Sequence, residues 1–224
     1  VKGVLMPSLY TSRISIDAAI KLASNLQIEL LQQPITQAFE LMVTQLTKSN
    51  KINPSILAQQ NLQARLRGNI LMYYANLNNG IVLNTGNKSE AAMGYCTLYG
   101  DMIGAFAPIG DLLKTQVFKM ASYINNQQEL IPSIILTRPP SAELAPNQQD
   151  TDQLLPYDQL DKILIKIFSL EQNKQQQLTA QELKIYKRLT LAEHKRQQAP
   201  MVLKISNCSW QIDRKQPCSQ FLAI

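Results

Sequence analysis

Asn87-Lys88-Ser89-Glu90 is the segment whose residue types and spacing best suit chemistry. The pattern is that of a capping box, with Asn87 at a helix N-cap and Glu90 at the third helical position. That local role accounts for both side chains without a ligand. A helix N-terminus that follows a strand also offers free backbone N–H groups and a positive dipole end to an anion, and Glu90 there could hold a cation or a ribose hydroxyl. On the residues alone both readings stand. Arg65 and Arg67, with Asn61 just before them, are either solvated surface charges or a clamp for phosphate or carboxylate. Lys114 follows Pro108-Ile109-Gly110-Asp111, where Asp111 is placed to N-cap a helix running to Ile124. Lys114 would then project from the first turn, where a cation opposes the dipole and hints at an external anion. His194, the only histidine, stands in His194-Lys195-Arg196 at a helix end, where cations favour the dipole and no further role is required. It has no inferable Ser/Asp or Cys/Asn partners, so a hydrolytic triad is set aside.

These groups need a frame. Val1 to Met6 reads as a short strand closed by Pro7-Ser8, followed by a helix from Ile14 to Leu26. Glu29 to Ile35 reads as a second extended segment, followed by a helix from Thr36 to about Leu46 and a loop from Asn50 to Pro54. From Asn61 to about Leu77, the apolar residues Leu62, Leu66, Ile70, Tyr73 and Leu77 recur at helical spacing and predict one buried stripe. Ile81-Val82-Leu83 reads as a buried strand running into Thr85-Gly86-Asn87. Strands alternating with helices predict a parallel sheet covered on both faces, with ligands beyond the carboxyl ends of its strands. Thr85 to Glu90 lies at such an end. The prolines between Arg138 and Pro146 predict an ordered extended loop or linker. Helices resume at about Tyr157 to Ser169 and Ala180 to Glu193, with Gln172 to Gln177 as a solvated connector.

The bulk properties suit such a frame. With 224 residues, 45% hydrophobic and 17% charged, the chain has ordinary globular composition. A chain of this length buries roughly 70% of its unfolded surface, which makes staples of disulfide or metal unnecessary. The longest apolar run, around Met102 to Leu113, is broken by Asp101, Gly104, Pro108 and Gly110, so no membrane span is expected. Twenty-two basic against 16 acidic residues leave a formal charge of +6, which attracts anions. The cations are dispersed, and the tyrosines and Trp210 do not interleave with them, which argues against a nucleic-acid partner. Cys96, Cys208 and Cys218 lack metal-ligand spacing and suggest free thiols in a reducing, cytoplasmic setting.

Several long motifs occur in order: Val4-Leu5-Met6-Pro7-Ser8 with Ser12 and Ser15, NLQARLRGNILM from Asn61, TGNKSEAAMGYCTLYGD from Thr85 and API-x-DLLKTQV from Ala107. PPSAEL from Pro139, LLPYDQLDKIL from Leu154 and EHKRQQAP from Glu193 follow. Together they resemble the synthetase domain of the NAD⁺ synthetase family, nearest its glutamine-dependent bacterial branch. The resemblance implies an α/β, Rossmann-like, doubly wound parallel sheet of the ATP-pyrophosphatase type (adenine nucleotide alpha-hydrolase-like), incomplete at its N-terminus. It implies ATP-dependent amidation of deamido-NAD⁺ through an adenylated intermediate, with ATP as substrate, Mg²⁺ in attendance and ammonia from a glutaminase domain.

Residue by residue, the resemblance places Thr85, Lys114 and Ser141 against ATP, with Lys114 and Glu90 as catalytic groups and Glu90 also as the Mg²⁺ ligand. Asn61, Arg65, Glu90, Tyr95, Cys96, Thr97, Leu98, His194 and Lys195 fall on the deamido-NAD⁺ side. Leu98 replaces a lysine, and Ala105 an aspartate, of the shorter ammonia-dependent relatives. The family's Ser-Gly-Gly-x-Asp-Ser phosphate loop is not among these residues, which contain no Gly-Gly pair. The expectation is therefore a truncated synthetase domain over residues 1–199 with a tail over 200–224, inactive by itself and assembled as a homodimer or higher homo-oligomer. A catalytically inactive dinucleotide-binding subunit or sensor is the first rival reading. Another amide-forming ATP pyrophosphatase, acting on a purine nucleotide or a tRNA base, is the second.

Overall fold

The computed structural model describes residues 1–50, 53–169 and 178–215. The chain forms two compact units, Val1–Asn78 with Phe118–Gln153, and Asn79–Val117 with Leu154–Ile224. The Gln-rich connector expected at Gln172 to Gln177, and Cys218, lie outside the described residues.

In the first unit β1 (Lys2–Leu5) pairs in parallel with β2 (Glu29–Gln32), Gly3 opposite Leu30 and Val4 opposite Leu31. The crossover between them is α1 (Arg13–Asn25), whose N-cap Ser12 accepts a hydrogen bond from Ser15 N. After β2 the chain turns through the fully buried Ile35 into α2 (Thr36–Asn50), and α3 (Ile56–Leu77) follows. The apolar stripe expected on α3 is not the face it buries. Tyr73 and Leu77 are 63% and 64% exposed, and the buried residues are Gln63, Ala64 and Gly68. Hydropathic periodicity marks a face without saying what lies against it.

The proline-bearing segment is an ordered loop. It follows α6 (Ser133–Thr137) and ends in a 3₁₀ turn at Asp150–Asp152. Arg138 pairs with Glu143 at 2.7 Å, and Glu143 also accepts hydrogen bonds from Ser12 Oγ and Ser15 Oγ at 2.9 and 2.8 Å. Gln63 Nε2 donates to Leu144 O at 3.0 Å, so the buried polar face of α3 holds the loop as well.

In the second unit β3 (Phe106–Ala107) pairs in parallel with β4 (Met201–Val202), and Leu83 bridges Phe106, also in parallel. The buried strand expected at Ile81-Val82-Leu83 is thus a single bridge, with Ile81 69% and Leu83 46% exposed. An apolar triplet specifies a preference for burial, whereas a strand needs a partner on each edge to be covered. Around this ladder lie α4 (Lys88–Met93), the start of α5 (Lys114–Ile124), α7 (Tyr157–Ser169), α8 (Ala180–Leu191) and α9 (Glu193–Arg196).

Their shared core contains Ala92, Met93, Leu113, Leu160, Leu164, Ile167, Leu189 and Trp210. Each of the large aliphatic residues contributes about 1.5–3 kcal/mol by its burial. Residues after position 199 take part: β4 extends the ladder, and Trp210, 6% exposed, donates from Nε1 to Lys88 O at 3.3 Å. The architecture is α/β, and every strand pairing among the described residues is parallel. No described helix is long and apolar enough to cross a membrane.

Candidate functional site

The site is built around the start of α4. Asn84, 7% exposed, donates from Nδ2 to Asp101 O and Ile103 O at 2.7 and 2.9 Å. Its Oδ1 accepts from Gly86 N at 2.9 Å. This buried amide bends the chain so that Thr85 stands exposed just before the helix. Gly104 closes the other side at φ +133°, and a Cβ there would meet Val82 O at 3.0 Å.

The capping box is present in both directions. Asn87 Oδ1 accepts from Glu90 N at 3.0 Å, and Glu90 Oε2 accepts from Asn87 N at 3.1 Å. Glu90 nevertheless keeps its other oxygen for a second partner: Oε1 meets Lys114 Nζ at 3.0 Å, the two side chains being 20% and 19% exposed. Lys114 also lies 5.3 Å from the centre of the Tyr157 ring. The cap uses Oε2 and the ion pair Oε1, so both carboxylate oxygens of Glu90 are engaged within the chain.

Asp111 does not cap α5, contrary to the expectation. Its Oδ2 accepts from Ile205 N and Ser206 N at 2.9 and 2.7 Å, and its Oδ1 pairs with Lys88 at 2.9 Å. Burial pushes the Asp111 carboxyl up, but its contacts with Ser206, Lys88 and Ile205 outweigh this and hold it below the usual carboxylate range. The acceptors at the start of α5 are instead Ser89 Oγ on α4, which receives Lys114 N at 2.9 Å, and Asp161 on α7, which receives Thr115 N at 2.9 Å. The opposing anion that Lys114 seemed to require is internal, Glu90.

The segment after α4 is held by cations from α8 and α9. Lys195 Nζ donates to Gly94 O and Cys96 O, both at 2.7 Å, and Arg188 Nε donates to Met93 O at 3.0 Å. Arg196, 3% exposed, reaches Ala91 O and Ala92 O and pairs with Glu193 at 2.7 Å. The last carbonyls of α4 thus receive charged donors, a favourable match to the dipole of α4 itself. Tyr95 N returns to Glu90 O at 2.9 Å, Thr97 N donates to Asp101 Oδ1 at 2.6 Å, and Leu98 is half-buried. Burial, aided by nearby Asp101, pushes the Cys96 thiol up to about 12, so it is no nucleophile at neutral pH. His194 is exposed and its Nδ1 lies 2.9 Å from Leu191 O.

Thr85, Glu90, Tyr95 to Leu98, Lys114, His194 and Lys195 all belong to the second unit, where Glu90 meets Lys114 and Lys195 meets the carbonyl of Cys96. Asn61, Arg65 and Ser141 belong to the first unit. Asn61 and Arg65 share one face of α3, four residues apart, with Arg65 exposed. Arg67 does not complete a clamp with them. It lies two residues on from Arg65, on another side of the helix, and donates to Met6 O at 3.0 Å. Burial lowers its pKa, with Glu143 acting in the opposite sense. Ser141 Oγ donates to Gln148 O at 2.5 Å and accepts from Glu143 N at 3.1 Å, which shapes the loop.

The spacing of the residues assigns Asn84, Ser89, Asp161, Arg188 and Arg196 none of the contacts by which they hold this region. For Asp161 a signal existed: an acid within the apolar spacing Tyr157, Leu160, Leu164, Ile167 must be satisfied from a neighbouring element.

Among the described residues no three His, Cys, Asp or Glu side chains converge as a metal cage. Glu90 is the carboxylate in the first turn of α4, and its two oxygens are engaged by Asn87 N and Lys114 Nζ.

Residues 1–199 match the NAD synthase family. The glutamine-dependent NAD(+) synthetase of Synechocystis sp. is 44% identical over 225 residues, which is 98% of this chain and 40% of that protein. The chain thus spans about 40% of the length of this curated relative. Among solved structures, the glutamine-dependent NAD+ synthetase of Acinetobacter baumannii in complex with ADP is similar at TM-score 0.60 and 33% identity, over 97% of this chain and 40% of that one. The NMN synthetase of Francisella tularensis is similar at TM-score 0.71 and 27% identity, over 92% and 79%. The order of long motifs, the α/β architecture with parallel strand pairs and the match over residues 1–199 agree, and the chain belongs to the NAD synthase family.

Proposed function

We propose that this chain supplies the amidating centre of a glutamine-dependent NAD⁺ synthetase. The nicotinate carboxylate of deamido-NAD⁺ attacks the α-phosphorus of ATP, the bond to the β-phosphate oxygen breaks and pyrophosphate leaves. Ammonia then attacks the acyl adenylate, AMP leaves and a proton is lost from nitrogen, which gives the amide of NAD⁺. Thr85, Lys114 and Ser141 contact ATP in this reading. Asn61, Arg65, Glu90, Tyr95 to Leu98, His194 and Lys195 contact the dinucleotide. Glu90 would hold a magnesium ion that accompanies ATP, and such an ion would supply neutralisation of phosphate charge. Lys114 adds a fixed cation beside Glu90, a group of the kind that stabilises charge developing on a departing pyrophosphate.

The observation that carries this reading is Glu90, one oxygen closing the cap of α4 and the other paired with Lys114, at a helix that the exposed Thr85 precedes in the chain. The basic balance of the chain suits two anionic substrates. We further propose a homodimer. The exposed apolar residues Leu41, Leu46, Ile56, Leu57, Tyr73 and Leu77 on α2 and α3 support a self-complementary face.

The test is an assay of the full-length protein with ATP, deamido-NAD⁺ and glutamine or ammonia, following AMP, pyrophosphate and NAD⁺ in equal amounts. Faster turnover of the mononucleotide analogue would transfer the assignment to the chemistry named for the Francisella relative. Dinucleotide binding with no AMP released would establish the inactive-sensor reading instead.

A further inference from the structure

The geometry points to Asp161 as a positioning residue that, through Ser89 and Thr115, sets Lys114 opposite Glu90. The inference rests on Lys114 acting on ATP, as proposed above. Asp161 is 2% exposed on the apolar face of α7. Its Oδ2 accepts from Thr115 N at 2.9 Å and Thr115 Oγ1 at 2.8 Å, and its Oδ1 accepts from Ser89 Oγ at 2.5 Å. Ser89, fully buried, in turn accepts from Lys114 N at 2.9 Å. The first two amides of α5 are thus taken by a serine of α4 and a carboxylate of α7.

Each of those helices also touches the Lys114 side chain. Glu90, next to Ser89 on α4, pairs with the ammonium at 3.0 Å, and Tyr157, one turn before Asp161 on α7, offers its ring at 5.3 Å. Backbone and side chain of Lys114 are therefore gripped by the same two helices. A helix start is capped at small cost by a local Ser, Thr, Asn or Asp. Burying a carboxylate from another helix is far more demanding and is tolerated only when its oxygens are fully engaged. What the distant acid adds over a local cap is a fixed register among α4, α5 and α7, and that register sets the Glu90 to Lys114 distance.

The test uses the full-length protein with Asp161→Asn and the milder Ser89→Ala, each checked by melting temperature. The expected result is a rise in KM for ATP, or a fall in kcat, of about 10- to 100-fold, as a displacement near 1 Å would produce. KM for deamido-NAD⁺ should change several-fold less than the ATP constants, since of its proposed contacts only Glu90 borders the altered register. If Asp161→Asn does not fold, Ser89→Ala carries the same split. A folded Ser89→Ala protein with parental constants for both substrates, or with both KM values moving together, overturns the inference. A parent that converts no deamido-NAD⁺ overturns the earlier reading instead. In that case acetylation of Lys114 by acetic anhydride, followed by mass spectrometry, still decides: several-fold faster labelling relative to Lys119 in Ser89→Ala supports the grip, and an unchanged ratio refutes it.

Discussion

Lys88 and Asp111 form a buried ion pair at 2.9 Å, with side chains 4% and 1% exposed, and the chain from Ile205 to Cys208 is hung on it. Asp111 receives the amides of Ile205 and Ser206, while Lys88 Nζ donates to Ser206 Oγ at 2.8 Å and Cys208 O at 2.5 Å. Lys88 is the first residue of α4, where a lone cation would oppose the dipole; Asp111 makes it tolerable. Removing one partner of such a pair leaves a buried charge. Asp111→Ala is expected to destabilise the protein by about 3–5 kcal/mol, whereas an apolar replacement of both residues should recover much of the loss. Urea unfolding of the single and double variants checks this, and a loss under 1 kcal/mol in the single variant would show that the pair is dispensable.

Glu143 ties the loop of Arg138 to Pro146 to the N-terminus of α1. Burial pushes its carboxyl up, yet hydrogen bonds from Ser15, Ser12 and Arg138 outweigh burial and hold it below its ordinary value. A carboxylate depressed in the folded state contributes stability that is fully present above its unfolded pKa, about 4.3, and is lost as pH falls through the folded value. Stability should therefore decline below about pH 4.3, and Glu143→Gln should flatten that part of the curve. Melting temperatures from pH 7 to 3 provide the comparison; parallel curves for parent and variant would remove Glu143 from the acid response.

Glu90→Gln separates the two oxygens of the residue. The amide oxygen still closes the cap, so the fold should survive, while the ion pair with Lys114 is lost. In the full-length protein kcat should fall by about 10²-fold, the size of losing one charged contact to a transition state. Unaltered kcat and magnesium dependence would leave the residue a cap and nothing more.

Lys195 grips the carbonyls of Gly94 and Cys96, and two outcomes are expected of Lys195→Ala. KM for deamido-NAD⁺ should rise more than KM for ATP. Cys96, whose thiol is raised to about 12 in the parent although Lys195 pulls it down, loses that cation and should stay unreactive to iodoacetamide at pH 8. Kinetics and peptide mass mapping read these separately, and fast alkylation of Cys96 in the parent would contradict its buried setting.

The 224 residues contain no Ser-Gly-Gly-x-Asp-Ser segment. Backbone amides of such a loop hold phosphate, so the chain produced alone is expected to release no AMP from ATP and deamido-NAD⁺. Stoichiometric AMP from the isolated chain would show that Thr85 and Lys114 suffice.

Wherever the determining interactions are local, the residues alone were legible. The α4 cap is written in Asn87 and Glu90, three positions apart, and the loop after α6 in its prolines, so no distant partner was needed to read them. Helix α1 follows equally from its apolar spacing, and α7 and α8 lie where helices were expected, α8 ending at Leu191 rather than Glu193. Asp111 was misread because an acid three residues before a helix is a cap by default, and only the arrival of Ile205 and Ser206 claims it. The α3 stripe failed for the converse reason, since spacing names a face but not its neighbour. Asp161 reaches Ser89 across 72 residues, and Arg196 reaches Ala91 across 105. Tertiary structure alone decided those pairings, because a buried charge takes whichever donors or acceptors the folded chain brings into hydrogen-bonding range, and sequence distance does not enter that choice.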